Sequence, residues 1–170
     1  GSQDHSLWGT PYYLLPEICS HTITQPLLTE GYYVLLPLSQ GIRISSTLPE
    51  NVTVTELLTT SAAAYSKQAG YEITTYDKEE GDLEGPFSLA VLVEDASKEG
   101  KLLWVSSGAL MDEDTNSRIS GGNLDFFMNS VNWLCQREDA ISIRAKDLGY
   151  TYLTMDEGTA SVLSVVIVAV

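Results

Sequence analysis

PFSLAVLVEDASKEGKLLWVSS, from Pro86 to Ser107, contains two continuous apolar runs of strand length, Pro86–Asp95 and Lys101–Ser107, separated by ASKEG. Runs of this kind, without alternating polar residues, are typical of strands in a sheet that is covered on both faces. The stretch therefore predicts two central, buried strands.

Three more segments have strand character, and the prolines at Pro16 and Pro37 suit strand ends or edges because proline lacks an amide donor. These segments are Tyr12–Ile18, Tyr32–Leu38 and Val52–Thr60.

Two regions between the predicted strands lack strand character. Ser61–Lys67, SAAAYSK, favours a turn or two of helix capped by Ser61. The polar segment Gln68–Gly85 is predicted to be a solvated loop.

The segment that begins GGNLDFF, at Gly121, predicts the main helix. Asn123 is a natural N-cap, and Asp125 suits the first turn. Apolar residues then recur at helical spacing and predict a buried stripe of Leu124, Phe127, Met128, Val131, Leu134 and Cys135. Buried strands followed by an amphipathic helix indicate an α/β fold with a mixed, mainly parallel sheet flanked by helices.

The charge balance excludes one class of partner. The chain has 170 residues, with 23 acidic against 9 basic residues and a formal net charge of -14. A protein that binds nucleic acid needs clustered Lys and Arg, so no nucleic-acid partner is expected. Two cysteines, Cys19 and Cys135, are too few to define a disulfide framework, and their spacing leaves pairing open.

The chain ends in TASVLSVVIVAV, which carries no charge. The leading interpretation makes residues 156–170 the start of a truncated transmembrane helix, because a full span needs about 20 apolar residues. The alternative is a final core strand, since Val and Ile favour strands. Gly1-Ser2 resembles an expression scar, which leaves residues 3–155 as the predicted domain.

From about Tyr12 to Arg144, a series of segments taken in order resembles the gliding-motility-type ABC-transporter auxiliary family. The helix region GGNLDFFMNSVNWLCQREDAISIR is the most specific, and SHTITQPL resembles the His-x-Ile-Thr signature of that family. The remaining similar segments are YYVLLPLSQGI, ELLTTSAAAY, and the pair GPFSLAVLVE and KLLWVSSGALMDE.

This resemblance implies an extracytoplasmic domain with a flavodoxin-like or class I glutamine-amidotransferase-like fold, here as an incomplete copy whose first part lies upstream. It also implies a C-terminal membrane helix, a bacterial cell-membrane location, and the membrane and ATPase subunits of the transporter as partners. The chain departs from the family at Ser106-Ser107-Gly108-Ala109, where members often have Gly-Asp-Ser-Asp.

A binding function without catalysis is expected, in which the domain binds a partner subunit, an envelope component or a carried ligand. A cysteine hydrolase or amidotransferase needs its nucleophile on a tight Gly-x-Cys-x-Gly turn with a histidine base in reach, and the chain has no such turn. His21 is expected to bond locally and to fix the turn before Ile23, and Cys135 is expected to pack in the core. Two alternatives remain: an enzyme whose catalytic residues lie upstream, and a soluble ligand-binding module.

The loop after the second central strand is the predicted ligand site, because ligands of open α/β sheets settle beyond the carboxyl ends of strands. Ser106, Ser107, Gly108 and Asn123 would bind a small anion or polar group there. Asp112, Asp114 and Asn116 form a weak cation candidate, since Ser117 and Asn123 break the EF-hand pattern.

No cofactor and no zinc site is predicted. Trp104 and Trp133 are expected to lie in the core, and Asn51-Val52-Thr53 is a formal glycosylation sequon.

Overall fold

The central sheet is antiparallel throughout, and its hairpin explains why. In the computed structural model, which describes residues 5–137 and residue 141, β7 (Ser88–Asp95) and β8 (Gly100–Val105) pair directly. Only residues 96–99 join them, with Glu99 at a positive φ of 50°. A parallel pair needs a crossover of about a dozen residues, so this connection permits only a hairpin.

The prediction of a mixed, mainly parallel sheet flanked by helices is therefore wrong. Together with β2 (Glu17–Ile18) and β4 (Val52–Thr59), these strands form a four-stranded sheet of order β2-β4-β7-β8, in which every pair is antiparallel. The predicted strands at Val52, Ser88 and Lys101 are confirmed as elements, but their direction is not. The prediction that the Lys101 strand is central and buried is wrong, because β8 is the last strand of this sheet and mostly exposed. The expected flavodoxin-like or class I glutamine-amidotransferase-like fold is therefore also wrong, because it requires a mainly parallel sheet.

Two small sheets flank the central one. In the first, β1 (Tyr13–Leu14) pairs with β3 (Leu36–Pro37). In the second, β5 (Tyr65–Ser66) pairs with β6 (Leu83–Glu84). Ser61–Lys67 is thus partly strand and not the predicted helix, because Tyr65 and Ser66 find backbone partners across residues 67–82.

Three helices complete the described part, α1 (Gln25–Glu30), α2 (Glu113–Ser117) and α3 (Gly122–Leu134). Short 3₁₀ turns lie at Leu7–Gly9, Gly70–Glu72 and Gly108–Met111. No helix among residues 5–137 combines the length and the apolar character needed to cross a bilayer. The predicted membrane segment 156–170 and the scar at Gly1-Ser2 lie outside the described residues.

The buried face of α3 differs from the predicted stripe. Leu124 and Met128 are exposed, and so is Cys135, which was expected to pack in the core. The residues that turn inward are Gly122, Asn123, Phe126, Asn129, Ser130 and Trp133. Three of these are polar, and each bonds to a backbone carbonyl, which is what allows them to be buried.

The core lies between α1, α3 and one face of the central sheet. Its largest fully buried side chain is Phe126, which belongs to one cluster with Leu57, Leu58, Leu89 and Leu92. Trp133 belongs to this cluster, as predicted, whereas Trp104 does not: it is 59 % exposed. Leu103 and Val105 pack on the cluster, so the alternate residues Leu102 and Trp104 of β8 face away from it.

The helix α3 begins at a close backbone approach that only glycine permits. A Cβ atom placed on Gly122 would lie 2.0 Å from the carbonyl oxygen of Tyr33, far inside van der Waals contact. The preceding Gly121 is the N-cap, with a φ of 89°. This replaces the predicted N-cap at Asn123, whose side chain is directed into the interior instead.

We expect Gly122→Ala to destabilise the fold by at least the upper end of the about 1–3 kcal/mol range of overpacked sites, because the new methyl group meets backbone. Gly108→Ala is the matched control, since nothing lies within 4 Å of its added Cβ. Urea unfolding measures both. Equal midpoints for the two variants would contradict the close approach of α3 to Tyr33.

Candidate functional site

The Asn123 side chain holds the segment before β3 against the start of α3. Its Oδ1 accepts a hydrogen bond from the Leu35 amide at 2.8 Å, and its Nδ2 donates to the Leu35 carbonyl at 2.8 Å. The same nitrogen also donates to the Leu110 carbonyl at 3.1 Å. Asn123 and Leu35 are both fully buried. The carboxamide therefore completes the backbone hydrogen bonding of Leu35 as a neighbouring strand would.

Ser107 fastens the loop after β8 to the same segment. Its hydroxyl donates to the Pro37 carbonyl at 2.6 Å and accepts from the Ala109 amide at 3.3 Å, which caps the 3₁₀ turn. We name the arrangement of Asn123 and Ser107 around residues 35–37 the loop clamp. Both side chains of the clamp are buried, so their polar atoms face backbone groups of the protein.

The remaining predicted ligand residues lie beside the loop clamp. Gly108 is exposed at the beginning of the 3₁₀ turn. Within the part of the chain that the structure describes, Ser106 carries the one buried side-chain oxygen that lacks a hydrogen-bond partner. The two serines therefore differ: the Ser107 hydroxyl is hydrogen-bonded to Pro37, whereas the Ser106 hydroxyl has no hydrogen-bond partner among the described residues.

The three residues of the predicted cation site, Asp112, Asp114 and Asn116, each make a different interaction within the protein. Asp112 accepts from the Thr115 amide at 2.9 Å and so caps α2, while Asp114 pairs with Arg118 at 2.8 Å. Asn116 accepts from the Leu124 amide at 3.0 Å. Among residues 5–137 and 141, no group of three or more His, Cys, Asp or Glu side chains is arranged to hold a metal ion.

The turn around His21 is built as the sequence predicts. The Nδ1 atom of His21 accepts from the Ile23 amide at 3.2 Å, which fixes the turn before Ile23. Sequence reasoning missed Thr24, whose hydroxyl donates to the Cys19 carbonyl and accepts from the His21 amide at 3.0 Å. Its position in the His-x-Ile-Thr segment was the available signal.

The two cysteines are free thiols in different surroundings. The Sγ atom of Cys19 lies 3.9 Å from the Thr59 hydroxyl, and burial raises the pKa of this thiol. A raised pKa keeps the thiol protonated at neutral pH, which is the opposite of what a nucleophile needs. Cys135 is exposed just after α3.

Asn51 of the glycosylation sequon is engaged through its side-chain nitrogen. The Nδ2 atom donates to Asp95 and also to the Ser97 hydroxyl at 2.9 Å. The hydrogen bonds from Ser97 and Asn51 lower the pKa of Asp95. The sequon therefore serves to tie the start of β4 to the end of β7.

The long excursion between β5 and β6 is organised by one lysine. Lys67 Nζ lies 2.9 Å from Asp82 and 2.5 Å from Glu79, and it also donates to the Asp77 carbonyl at 2.7 Å. Backbone amides of Glu79 and Gln68, together with Lys67, lower the pKa of Asp82 to about 2. The excursion, predicted as a solvated loop, is thus an ordered structure.

The search for similar proteins returns no family model, no curated protein and no solved structure that matches this chain.

We expect Asn123→Ala to destabilise the protein by about 3 kcal/mol or more, because it leaves two backbone groups of Leu35 buried without partners at about 1–3 kcal/mol each. Asn116→Ala is the control: it removes one exposed bond to Leu124 and should cost about 1 kcal/mol. Urea unfolding followed by tryptophan fluorescence measures the difference. A cost for Asn123→Ala no greater than that of the control would contradict the loop clamp.

Proposed function

We propose that this chain is the non-enzymatic extracytoplasmic domain of a membrane-anchored ABC-transporter auxiliary subunit, and that it acts by binding. The loop clamp is the observation that carries the proposal. Asn123 belongs to the helix segment through which the chain resembles that family, and its polar atoms are bonded to Leu35 and Leu110. His21 and Thr24, in the second resembling segment, likewise bond to backbone groups. Polar side chains used in this way give a rigid scaffold for contact.

The outward side of β8 is the surface that we assign to the partner subunit. Leu102 and Trp104 are 55 % and 59 % exposed, and β8 ends the sheet within the described part of the chain. An edge strand with exposed apolar side chains is a template for pairing with another protein. A second copy of this chain is a poor occupant, because two bodies of net charge -14 repel each other.

The exposed thiol of Cys135 provides the test of location. In intact cells, or in spheroplasts where an outer membrane blocks the reagent, we expect a membrane-impermeant maleimide to label the complete gene product at Cys135. Cys19 should react poorly because its thiol is partly buried with a raised pKa. Cys135→Ser should abolish the labelling. Labelling that requires cell lysis would overturn the extracytoplasmic placement.

Contact with the transporter is tested by co-purification in detergent. We expect the ATPase and membrane subunits of an ABC transporter to co-purify with the complete gene product, and Trp104→Asp to weaken this association by about tenfold or more, as at an aromatic hot spot. Leu48→Asp is the control, because Leu48 is 40 % exposed and lies outside the sheet. Absence of both subunits, or an equal loss in the control, would contradict the proposal.

A further inference from the structure

Four aromatic rings from two distant parts of the chain form a continuous row on the surface. The ring centroids of Trp8 and Tyr13 lie 6.5 Å apart, those of Tyr13 and Tyr12 lie 5.0 Å apart, and those of Tyr12 and Tyr76 lie 5.3 Å apart. We name this set the aromatic row. Tyr76 belongs to the excursion between β5 and β6, so the row exists only in the folded protein.

The two ends of the aromatic row are open to solvent. Trp8 is 68 % exposed and Tyr76 is 48 % exposed, while Tyr12 and Tyr13 between them are half-buried. Trp8 also has a φ of 56° and a ψ of 25°, in the left-handed region that is unfavourable for any residue other than glycine. Unfavourable backbone geometry that displays a large apolar ring in water is typical of binding sites.

Contacts with neighbouring groups hold the aromatic row in place. The Arg118 guanidinium lies 5.3 Å from the ring centroid of Trp8 and 5.8 Å from that of Tyr13, and Asp114 fixes this guanidinium. At the other end, the Tyr76 carbonyl accepts from the Tyr65 hydroxyl, and Lys67 binds the next carbonyl along the chain. The row is therefore ordered before any ligand arrives, which lowers the entropic cost of binding.

Charge determines which stacking ligand fits this surface. Rows of aromatic rings bind nucleobases when a basic groove accompanies them, but the net charge of -14 repels a polyanion. A ligand cation would compete with Arg118, which already lies over two of the rings. An uncharged ligand that combines apolar faces with many hydroxyl donors meets neither obstacle.

Neutral saccharides have this combination. Their C–H faces pack on aromatic rings, and their hydroxyl groups donate to carboxylates. Asp114, which pairs with the Arg118 over the rings, is one candidate acceptor, and Asp77, which follows Tyr76 in the chain, is another. A proline-rich peptide also docks on aromatic surfaces, but it has few donors for these acceptors. We infer that the aromatic row is a binding site for a neutral glycan chain. That this glycan belongs to the cell envelope rests on the proposed function; the binding itself does not.

The ring angles narrow the form of the glycan. The planes of neighbouring rings meet at 67°, 71° and 39°, so the row has no single flat face. A crystalline polysaccharide surface needs coplanar rings, whereas a free, twisted chain can follow tilted ones. The site therefore suits soluble or single-chain glycans.

The test is isothermal titration and native-gel retardation of the full chain with soluble chitohexaose and cellohexaose. Polygalacturonate serves as an anionic glycan and poly-L-proline as the peptide alternative. We expect at least one neutral oligosaccharide to bind, and Trp8→Ala and Tyr76→Ala each to weaken that binding by at least about tenfold. Tyr33→Ala is the matched control: Tyr33 is an aromatic residue that is 62 % exposed and does not belong to the aromatic row, so this variant should bind as the parent does.

Several outcomes would overturn the inference. These are no binding of either neutral oligosaccharide, an equal loss of binding in Tyr33→Ala, and binding of poly-L-proline or polygalacturonate instead. Urea midpoints equal to that of the parent establish that both row variants are folded, and Tyr76→Ala alone decides if Trp8→Ala is not. Glycan binding by a protein that is labelled only after lysis would refute the proposed function and leave this inference intact. Labelling of intact cells without glycan binding would refute this inference and leave the proposed function intact.

Discussion

The carboxamide of Asn123 is the interaction on which the described fold depends. Residues 34–37 are buried in the interior, and Val34, Leu35 and Leu36 are fully buried, yet only Leu36 and Pro37 belong to a strand. A buried backbone segment outside a sheet has polar groups that must find partners. Asn123 supplies both partners for Leu35, and the missing side chain of Gly122 lets the Tyr33 carbonyl approach α3. The Asn123 side chain and the lack of a side chain at Gly122 thus do for this segment what pairing with a neighbouring strand would do.

The same constraint explains the polar character of the buried face of α3. Asn129 donates to the Ile23 carbonyl at 3.3 Å, and Ser130 bonds to the carbonyl of Phe126 in its own helix. Asn123 and Asn129 therefore connect α3 to Leu35 and Ile23, two residues that do not belong to any strand. Phe126 and Trp133 fill the space between these connections. The helix is oriented by its amides as well as by its apolar residues, which is why the side that carries Leu124 and Met128 faces solvent.

How far the sequence predicts this structure depends on how local each signal is. The strands at Val52, Ser88 and Lys101 and the helix near Asn123 follow from composition over short windows, and they are confirmed. The strand direction was also encoded locally, in the short connection 96–99, but the continuous apolar runs favoured a parallel sheet. The hydrophobic pattern of α3 correctly placed Phe127 and Leu134 against the core, but it missed the buried Asn123, Asn129 and Ser130, because these residues count as polar in any periodicity. The carbonyls that the two asparagines bind lie far away in the chain.

In the candidate site, too, only the contacts between residues close in sequence could be predicted. The His21 turn is predictable because both of its partners lie within a few residues. The roles of Ser107 and Asn123 are not, since Pro37 and Leu35 lie 70 and 88 residues away. Likewise, Trp8, Tyr12 and Tyr13 are close in sequence, but Tyr76 reaches them only through the excursion that Lys67 organises. Long-range contacts of this kind leave no mark on local spacing.

The wide sequence separation between Leu35 and Asn123 has a consequence for the order of folding. The β7–β8 hairpin closes a very short loop, so its formation carries little entropic cost and can come early. The bond between Asn123 and Leu35 closes a far longer one, after the central strands have already brought its ends together. During synthesis, the segment 33–37 emerges long before the residue that completes it. Until α3 is made, Leu36 and Pro37 can pair with β1, but the backbone of Leu35 has no Asn123 to bond to, and the growing chain is most exposed to aggregation during that interval.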